Sequence, residues 1–305
     1  MKDSCKIPDI ILQRKEGTAM QINIISVKAA IDYIESNLAG KLDLEIVSNA
    51  VHYSKYHLHR VFIDTVGLTI HEYVQRRRLT EAAKLLVFSD KPIIEIALTA
   101  GYKSQQSFTT VFKHMYKKTP NQYREAEEFY PLQLTYILND NPTKTSTDID
   151  WQADIVYAVE NDIPAWMDLL CLVVDGFPYL NEDEYLERLK QSVQKKQALI
   201  MKDKNIIIGA MIFNNAAGNI DFLGIHPQYR KNDIAKAFLQ KVWGELLTDV
   251  PISITTFREG DKADTGYRKV FRQLGFSEAE LLIEFGYPTQ KFILEKQNHL
   301  SLPGL

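Results

Sequence analysis

The stretch Glu45–Tyr73, EIVSNAVHYSKYHLHRVFIDTVGLTIHEY, recurs fifty positions later as Glu95–Tyr123, EIALTAGYKSQQSFTTVFKHMYKKTPNQY. Aligned, the copies pair Glu45 with Glu95, Ile46 with Ile96, Ala50 with Ala100, Ser54 with Ser104, Val61 with Val111, Phe62 with Phe112, Thr69 with Thr119 and Tyr73 with Tyr123. Each copy sets a short apolar helix pattern (Ile46, Val47, Ala50; Ile96, Ala97, Ala100) before a tight turn and a serine. Apolar residues then follow the serine by four, seven and eight positions, which is one face of a helix. The pattern predicts two helices joined by a turn, twice over: a tandem helix-turn-helix unit.

Cap chemistry extends this reading outward. Ser26 is expected to cap a helix through Leu38, with Ala30, Ile31, Ile34 and Leu38 on its apolar face and Gly40 closing it. Asp43 opens the next helix and Ser54 the third, and Thr69 with Glu72 forms a capping-box signature for a long helix to about Phe88. Pro92 starts a fifth helix ending at Gly101, Ser104 caps a sixth, and Thr119–Pro120 begins a seventh. Residues 1–22 lack periodicity and read as a loose tail, leaving 23–127 as the helical domain. Asn139–Asp150 is rich in Asn, Pro, Thr, Ser and Asp, so residues 128–151 are expected to be a linker.

A chain of 305 residues exceeds what one core usually supports, and two domains are expected. No apolar run is long enough to span a bilayer and the N-terminus lacks the regions of a secretory signal, so no membrane partner and a cytoplasmic location are expected. Cys5 and Cys171 have neither paired spacing nor nearby His ligands, which points away from a disulfide framework and from any metal site. The net charge of -3 is unevenly spread: residues 26–126 hold 14 Lys and Arg against 10 Asp and Glu, a balance of +4 that leaves -7 for the remainder. The repeat-bearing half is the one suited to a polyanion.

Residues 26–126 resemble the DNA-binding domain of the AraC/XylS family of transcriptional regulators. The family pattern S-x-x-x-L-x-R-x-F, Gly, Y-x-x-x-R-[LM]-x-x-A is met by Ser54, Leu58, Arg60, Phe62, Gly67, Tyr73, Arg77 or Arg78, Leu79 and Ala82. Its later part is met by Ile93, Ile96, Ala97, Gly101, Tyr102, Ser104, Phe108, Phe112, Lys113, Thr119, Pro120, Tyr123 and Arg124. The resemblance implies double-stranded DNA as partner, with RNA polymerase as a second. The residues agree independently: with Leu58, Val61 and Phe62 turned inward, Lys55, Tyr56, His59 and Arg60 form the opposite face near a helix start. The equivalent face fifty residues on carries Gln105, Gln106, Thr109 and Thr110. Arg can hold guanine bidentately, Gln adenine, and a Thr methyl or Tyr56 can meet a thymine methyl; for the two glutamines a solvated helix start is the alternative. Arg76, Arg77, Arg78, Lys113 and Lys117 are assigned to phosphates or to helix packing.

The second half, 152–297, alternates helix and strand patterns and predicts an α+β domain with a central mixed sheet, followed by a tail at 298–305. The strand Phe222–Ile225 runs through His226, Pro227, Gln228, Tyr229 and Arg230 into a helix with Ile234 and Ala235, a strand-to-helix turn suited to an anion. This segment is similar to motif A of the GNAT acetyltransferases, and Leu274–Gly275–Phe276 resembles their later LGF. The resemblance implies acetyl-CoA contacted by Leu223, Gly224, Ile225, Arg230, Lys231, Asn232, Asp233, Ile234 and Ala235. Departures accompany it: Lys231 and Asp233 replace loop glycines, and Phe271 stands where the family often has a tyrosine acid. Tyr267 and Asp221 are the remaining catalytic candidates. Asp175, Phe177, Tyr179, Glu182 and Asp183 combine acids and aromatics suited to a cationic ligand or amine, with a solvated acidic loop as the alternative. The expected protein is a DNA-binding regulator whose GNAT-like half senses a small molecule or binds acetyl-CoA; the alternative is a bifunctional N-acetyltransferase acting on an amine.

Overall fold

A computed structural model of the chain describes residues 23–139, 142, 150–173, 182–230, 233–246, 250–284 and 287–295. Its first part is helical: α1 (23–36), α2 (Leu44–Ala50), α3 (Lys55–Val66), α4 (Ile70–Phe88), α5 (Ile93–Thr99), α6 (Gln105–Tyr116) and α7 (Pro120–Glu125). Local chemistry sets most of the ends. Asp43, Ser54, Ser104, Thr69 and Thr119 each accept from the backbone N–H three residues on, and Glu72 and Gln122 return the bond to close two capping boxes. The exception is Ser26. Residue 23 is already helical, and the Ser26 hydroxyl donates back to the Asn23 carbonyl (2.8 Å) within the helix. Gly67 ends α3 at φ 79°, a left-handed conformation that a side chain would strain.

Helix α4, about 28 Å long at 1.5 Å per residue, belongs to two cores. Its first half (Ile70, Tyr73, Val74) closes a cluster with Ile31, Ile34, Val47, Leu58 and Phe62, and its second half (Leu79, Ala82, Ala83, Leu86) closes another with Ile96, Phe108, Phe112 and Tyr123. The two repeats thus share one rigid rod. The segment after α7 differs from the linker expected there. Tyr130, Leu132, Tyr136 and Leu138 are buried, the first two in the second core and the last two in the first. The Leu132 and Gln133 amides donate to Thr80 Oγ1 of α4 (3.1 and 3.0 Å). Residues 129–138 therefore form an extended strap across both helical units, and a linker can begin only beyond it.

The second part contains α8 (Trp151–Asp154), β1 (Ile155–Tyr157), α9 (Ile163–Val173), α10 (Glu182–Gln194), β2 (Ala198–Asp203), β3 (Ile206–Asn214), β4 (Asn219–Ile225), α11 (Ile234–Lys241), β5 (Ile252–Phe257), α12 (Tyr267–Gln273), β6 (Ser277–Glu284) and β7 (Tyr287–Leu294). The strands form a seven-stranded sheet of order β1-β2-β3-β4-β5-β7-β6, antiparallel except where β4 meets β5. Period-two alternation divides the side chains between two faces. Ala198, Ile200, Ala210 and Ile212 pack under α9 and α10 with Trp166 and Leu189, while Leu199, Met201, Met211 and Phe213 pack under α11 and α12 with Phe238 and Phe271. β4 and β5 share register at only two pairs, Asn219 with Ser253 and Ile220 with Ile254, and beyond these the ladder stops.

Candidate nucleic-acid interface

In α3, Leu58, Val61 and Phe62 are buried while Lys55, Tyr56, His59 and Arg60 are exposed, Tyr56 at 90%. The Ser54 cap holds the helix start open by occupying the His57 amide (3.3 Å). Lys55 also pairs with Glu45 of α2 (3.1 Å), a solvent-exposed ion pair of little strength. In α6 the pattern repeats: Phe108, Phe112, Met115 and Tyr116 are buried, Gln105, Gln106 and Thr110 are exposed and Thr109 is half-buried. Thr110 Oγ1 donates to the Gln106 carbonyl (3.0 Å), which leaves its methyl as the group to offer a partner. Lys113, in the last turn, is exposed. Each repeat therefore presents a polar helix start above a dry inner face, the arrangement that fits a major groove.

The other basic residues assigned to phosphates or to helix packing have acceptors within the protein. Arg77 is 6% exposed; its Nε and Nη2 bond both carboxylate oxygens of Glu35 (2.8 to 3.1 Å), Nη1 donates to the Gln133 carbonyl of the strap, and Nη2 also reaches Glu81. Tyr73 donates to the same Glu35 (2.9 Å), and burial, then the carboxylate, raises its phenol far above the ordinary value. Arg78 donates to the carbonyls of Leu38 and Gly40 at the end of the α1 turn. Arg76, 2% exposed, crosses to the second domain, where Nη2 donates to the carbonyls of Ala263 (2.9 Å) and Lys262 (3.3 Å). Lys117, the left-handed cap of α6, pairs with Asp261 (2.7 Å) and lies 5.7 Å over the Tyr287 ring. All four bond acceptors within the protein, which is the packing alternative of their assignment, although Lys117 stays exposed.

The second domain thereby docks on the C-terminal ends of both exposed helices. Asp261 meets the end of α6, and Arg230 reaches the end of α3, its Nη1 3.5 Å from the Val66 carbonyl beside Gly67. The strap joins in: Asn139 donates from its amide to Gln228 Oε1 (2.7 Å) and from Nδ2 to Tyr229 (2.9 Å). Sequence reasoning missed this seam. Its one legible signal was the period-two spacing of Tyr130, Leu132, Tyr136 and Leu138.

Several residues expected to hold acetyl-CoA serve the core. Ile234 is core, Leu223 and Ile225 pack against the same cluster, and Ala235 is half-buried. Gly224 is buried where a Cβ would meet the Phe222 ring at 2.6 Å and Val173 at 2.9 Å. Asp233 stands at the start of α11 at φ 54° with no side-chain cap bond, and Lys231 and Asn232 lie outside the described residues. Tyr267 donates its hydroxyl to the Val173 carbonyl (3.1 Å) under the Arg230 guanidinium (5.9 Å to the ring). Asp221, beside Asn219 on β4, has its carboxyl raised by burial and then by Glu284. Phe271 is core. Glu182 and Asp183 open α10; Asp175, Phe177 and Tyr179 lie outside the described residues. Among the described residues no His, Cys, Asp and Glu group could hold a metal, and no helix is long and apolar enough to cross a membrane.

Comparison with known proteins gives a helix-turn-helix domain family matching residues 47–126. The chain is similar to the multiple antibiotic resistance protein MarA of Salmonella typhimurium, 37% identical over 116 residues that cover 37% of this chain and 91% of MarA. It is also similar to the HTH-type transcriptional regulator YbfP of Bacillus subtilis, 40% identical over 99 residues; the match spans 32% of this chain and about a third (34%) of YbfP. Among solved structures, a GNAT-family acetyltransferase from Bacillus cereus covers 47% of this chain and 96% of its own, with 17% identity and a TM-score of 0.36.

Proposed function

The chain belongs to the AraC/XylS family of helix-turn-helix regulators, and from that premise we propose that it is a sequence-specific transcriptional regulator reading double-stranded DNA through α3 and α6. The observation that carries the reading is the pair of exposed polar helix starts held on one rod, α4, with their apolar faces buried in separate cores. Arg60 and Gln106 are the base readers by chemistry, and RNA polymerase is the partner through which bound protein alters transcription. Selection of binding sites from random duplex, followed by anisotropy on the selected site, tests this. Arg60→Ala or Gln106→Ala should cost about 1 to 3 kcal/mol on the selected site and little on random DNA. Equal losses on both DNAs would remove these side chains from base reading.

The second half is read as a ligand-sensing body with a GNAT-like order of elements. We propose that acetyl-CoA binds weakly if at all, because Arg230 is turned to the α3 carbonyl, a carboxylate stands at the start of α11, and the Tyr267 hydroxyl is bonded to Val173. Calorimetry of the full chain with acetyl-CoA should show weak binding at most, and Asp233→Gly should tighten it. Tight binding by the unmodified chain that is weakened by Asp233→Gly would restore the acetyltransferase reading.

A further inference from the structure

A groove of about 370 Å³ lies where the strap meets the second domain. The strap supplies Leu134, Ile137 and Leu138, α9 supplies Asp168, Leu169, Cys171 and Leu172, and the β2–β3 turn and His226 complete it. Its apolar mouth is open to water, Ile137 at 79% exposure and Leu134 and Ile206 at 37% each.

The charges on its wall are of one sign. No Lys or Arg lines it, and Asp168 is exposed with no ion pair among the described residues. His226 is buried and neutral, since burial, then Arg230, lowers its pKa to about 4. Its Nδ1 accepts from the Gln228 amide (3.3 Å). The thiol of the exposed Cys171 is pushed up by partial burial and then by Glu182 and Asp168, of which Asp168 lines the groove.

We propose that this groove is a binding site for an apolar monocation, an amine on a hydrocarbon or aromatic body, with Asp168 facing the ammonium and Leu134, Ile137, Leu169 and Ile206 covering the body. The chemistry is an ion pair set at the edge of an apolar surface, where partial desolvation strengthens it. A carboxylate in the same place would face Asp168 and meet only the neutral polar groups of Thr135, Asn139 and Asn205. The acidic residues opening α10 do not line the groove, and one of its walls is the strap that also closes both helical cores. The proposal rests on reading the second half as a sensing body, and occupancy is scored without DNA so that the two can fail separately.

Cys171 gives a local reporter. In a Cys5→Ser chain, N-ethylmaleimide labelling of Cys171 is followed by intact mass with three matched probes: 4-phenylbutylamine, 4-phenylbutanol and 4-phenylbutyrate. The amine at about ten times its dissociation constant should slow labelling about tenfold by mass action. The alcohol should protect more weakly and the carboxylate not at all. Asp168→Asn should reduce the amine to the level of the alcohol, and Ile206→Lys, which sets a cation in the mouth, should abolish protection by the amine. Circular dichroism checks that both variants are folded. Unchanged labelling up to the solubility limit of the amine, equal protection by 4-phenylbutyrate, or full amine protection in folded Asp168→Asn would overturn the proposal.

Discussion

Arg77 offers the sharpest discrimination between a residue that binds DNA and one that holds the fold. Its side chain is 8% exposed and bonds Glu35 in a fork, with Glu35 itself 20% exposed. Arg77→Met keeps most of the aliphatic stem but strands the Glu35 carboxylate, whose remaining partner here is the Tyr73 hydroxyl. Breaking a buried pair from one side costs about 3 to 5 kcal/mol, because the surviving charge stays desolvated. The lost bond to the Gln133 carbonyl adds about 1 kcal/mol, and the half-exposed Glu81 partner only about 0.3 to 0.5 kcal/mol. Urea unfolding followed by far-ultraviolet circular dichroism, where helix dominates the signal, should show that loss. The salt dependence of DNA binding by the still-folded fraction should keep its slope. Glu35→Met/Arg77→Met should recover much of the stability, since neither charge remains buried. A loss below about 1 kcal/mol together with a salt slope reduced by about one would refute the packing role and return Arg77 to a phosphate.

The seam and its histidine give two further outcomes. Asp261→Ala removes the shared acceptor of Lys117, Tyr287 and the Ala263 amide, and should cost about 2 to 4 kcal/mol of docking, seen as faster hydrogen exchange at residues 261–263 and in the last turn of α6; unchanged exchange in both segments would show that this contact does not hold the domains. His226, at about 4 when folded against about 6.5 when unfolded, binds fewer protons in the native state, so its contribution is complete above pH 6.5 and is lost as pH falls from 6.5 towards 4. The loss should be on the order of 3 kcal/mol and absent from His226→Asn, whose stability profile over that window should be flatter; identical profiles for the two proteins would contradict the assignment.

The helix ends were legible because a cap is a local event. Ser54, Thr69, Ser104 and Thr119 each bond an amide three residues away, so identity and spacing suffice. Ser26 was misread because the same hydroxyl can bond backward to a carbonyl as well as forward to an amide. The exposed faces of α3 and α6 were equally legible, since the buried period fixes what remains outside. The run Arg76, Arg77, Arg78 was not. Three successive positions on a helix point about 100° apart, and their guanidinium groups end in three places: at the second domain, in the Glu35 pocket and at the α1 turn. A charge count registers all three as basic surface, whereas a long side chain goes to whichever acceptor the tertiary fold brings within reach. The strap was hidden for another reason. The Asn, Pro and Thr residues after 139 marked a boundary so clearly that the alternation just before it was assigned to the wrong side.

The position of the strap changes how the halves can influence one another. A flexible tether transmits little, because its many conformations absorb any displacement at one end. Residues 130–138 are not such a tether: they are fixed to α4 through Thr80 and to both helical cores, and Asn139 is bonded to Gln228 and Tyr229. The second domain also touches the ends of α3 and α6 opposite to their polar starts, through Arg230 at Val66 and Asp261 at Lys117. A shift of that domain therefore acts on the mutual orientation of the two helices at the points where they are held, while their polar starts, the proposed DNA-reading ends, stay uncovered. The effect is bounded by how differently a ligand binds the docked and shifted arrangements, and couplings of this kind amount to about 1 to 3 kcal/mol. Two helices reading one duplex are sensitive to such a change, because a base contact displaced in one groove cannot be recovered by sliding the whole domain without losing register in the other.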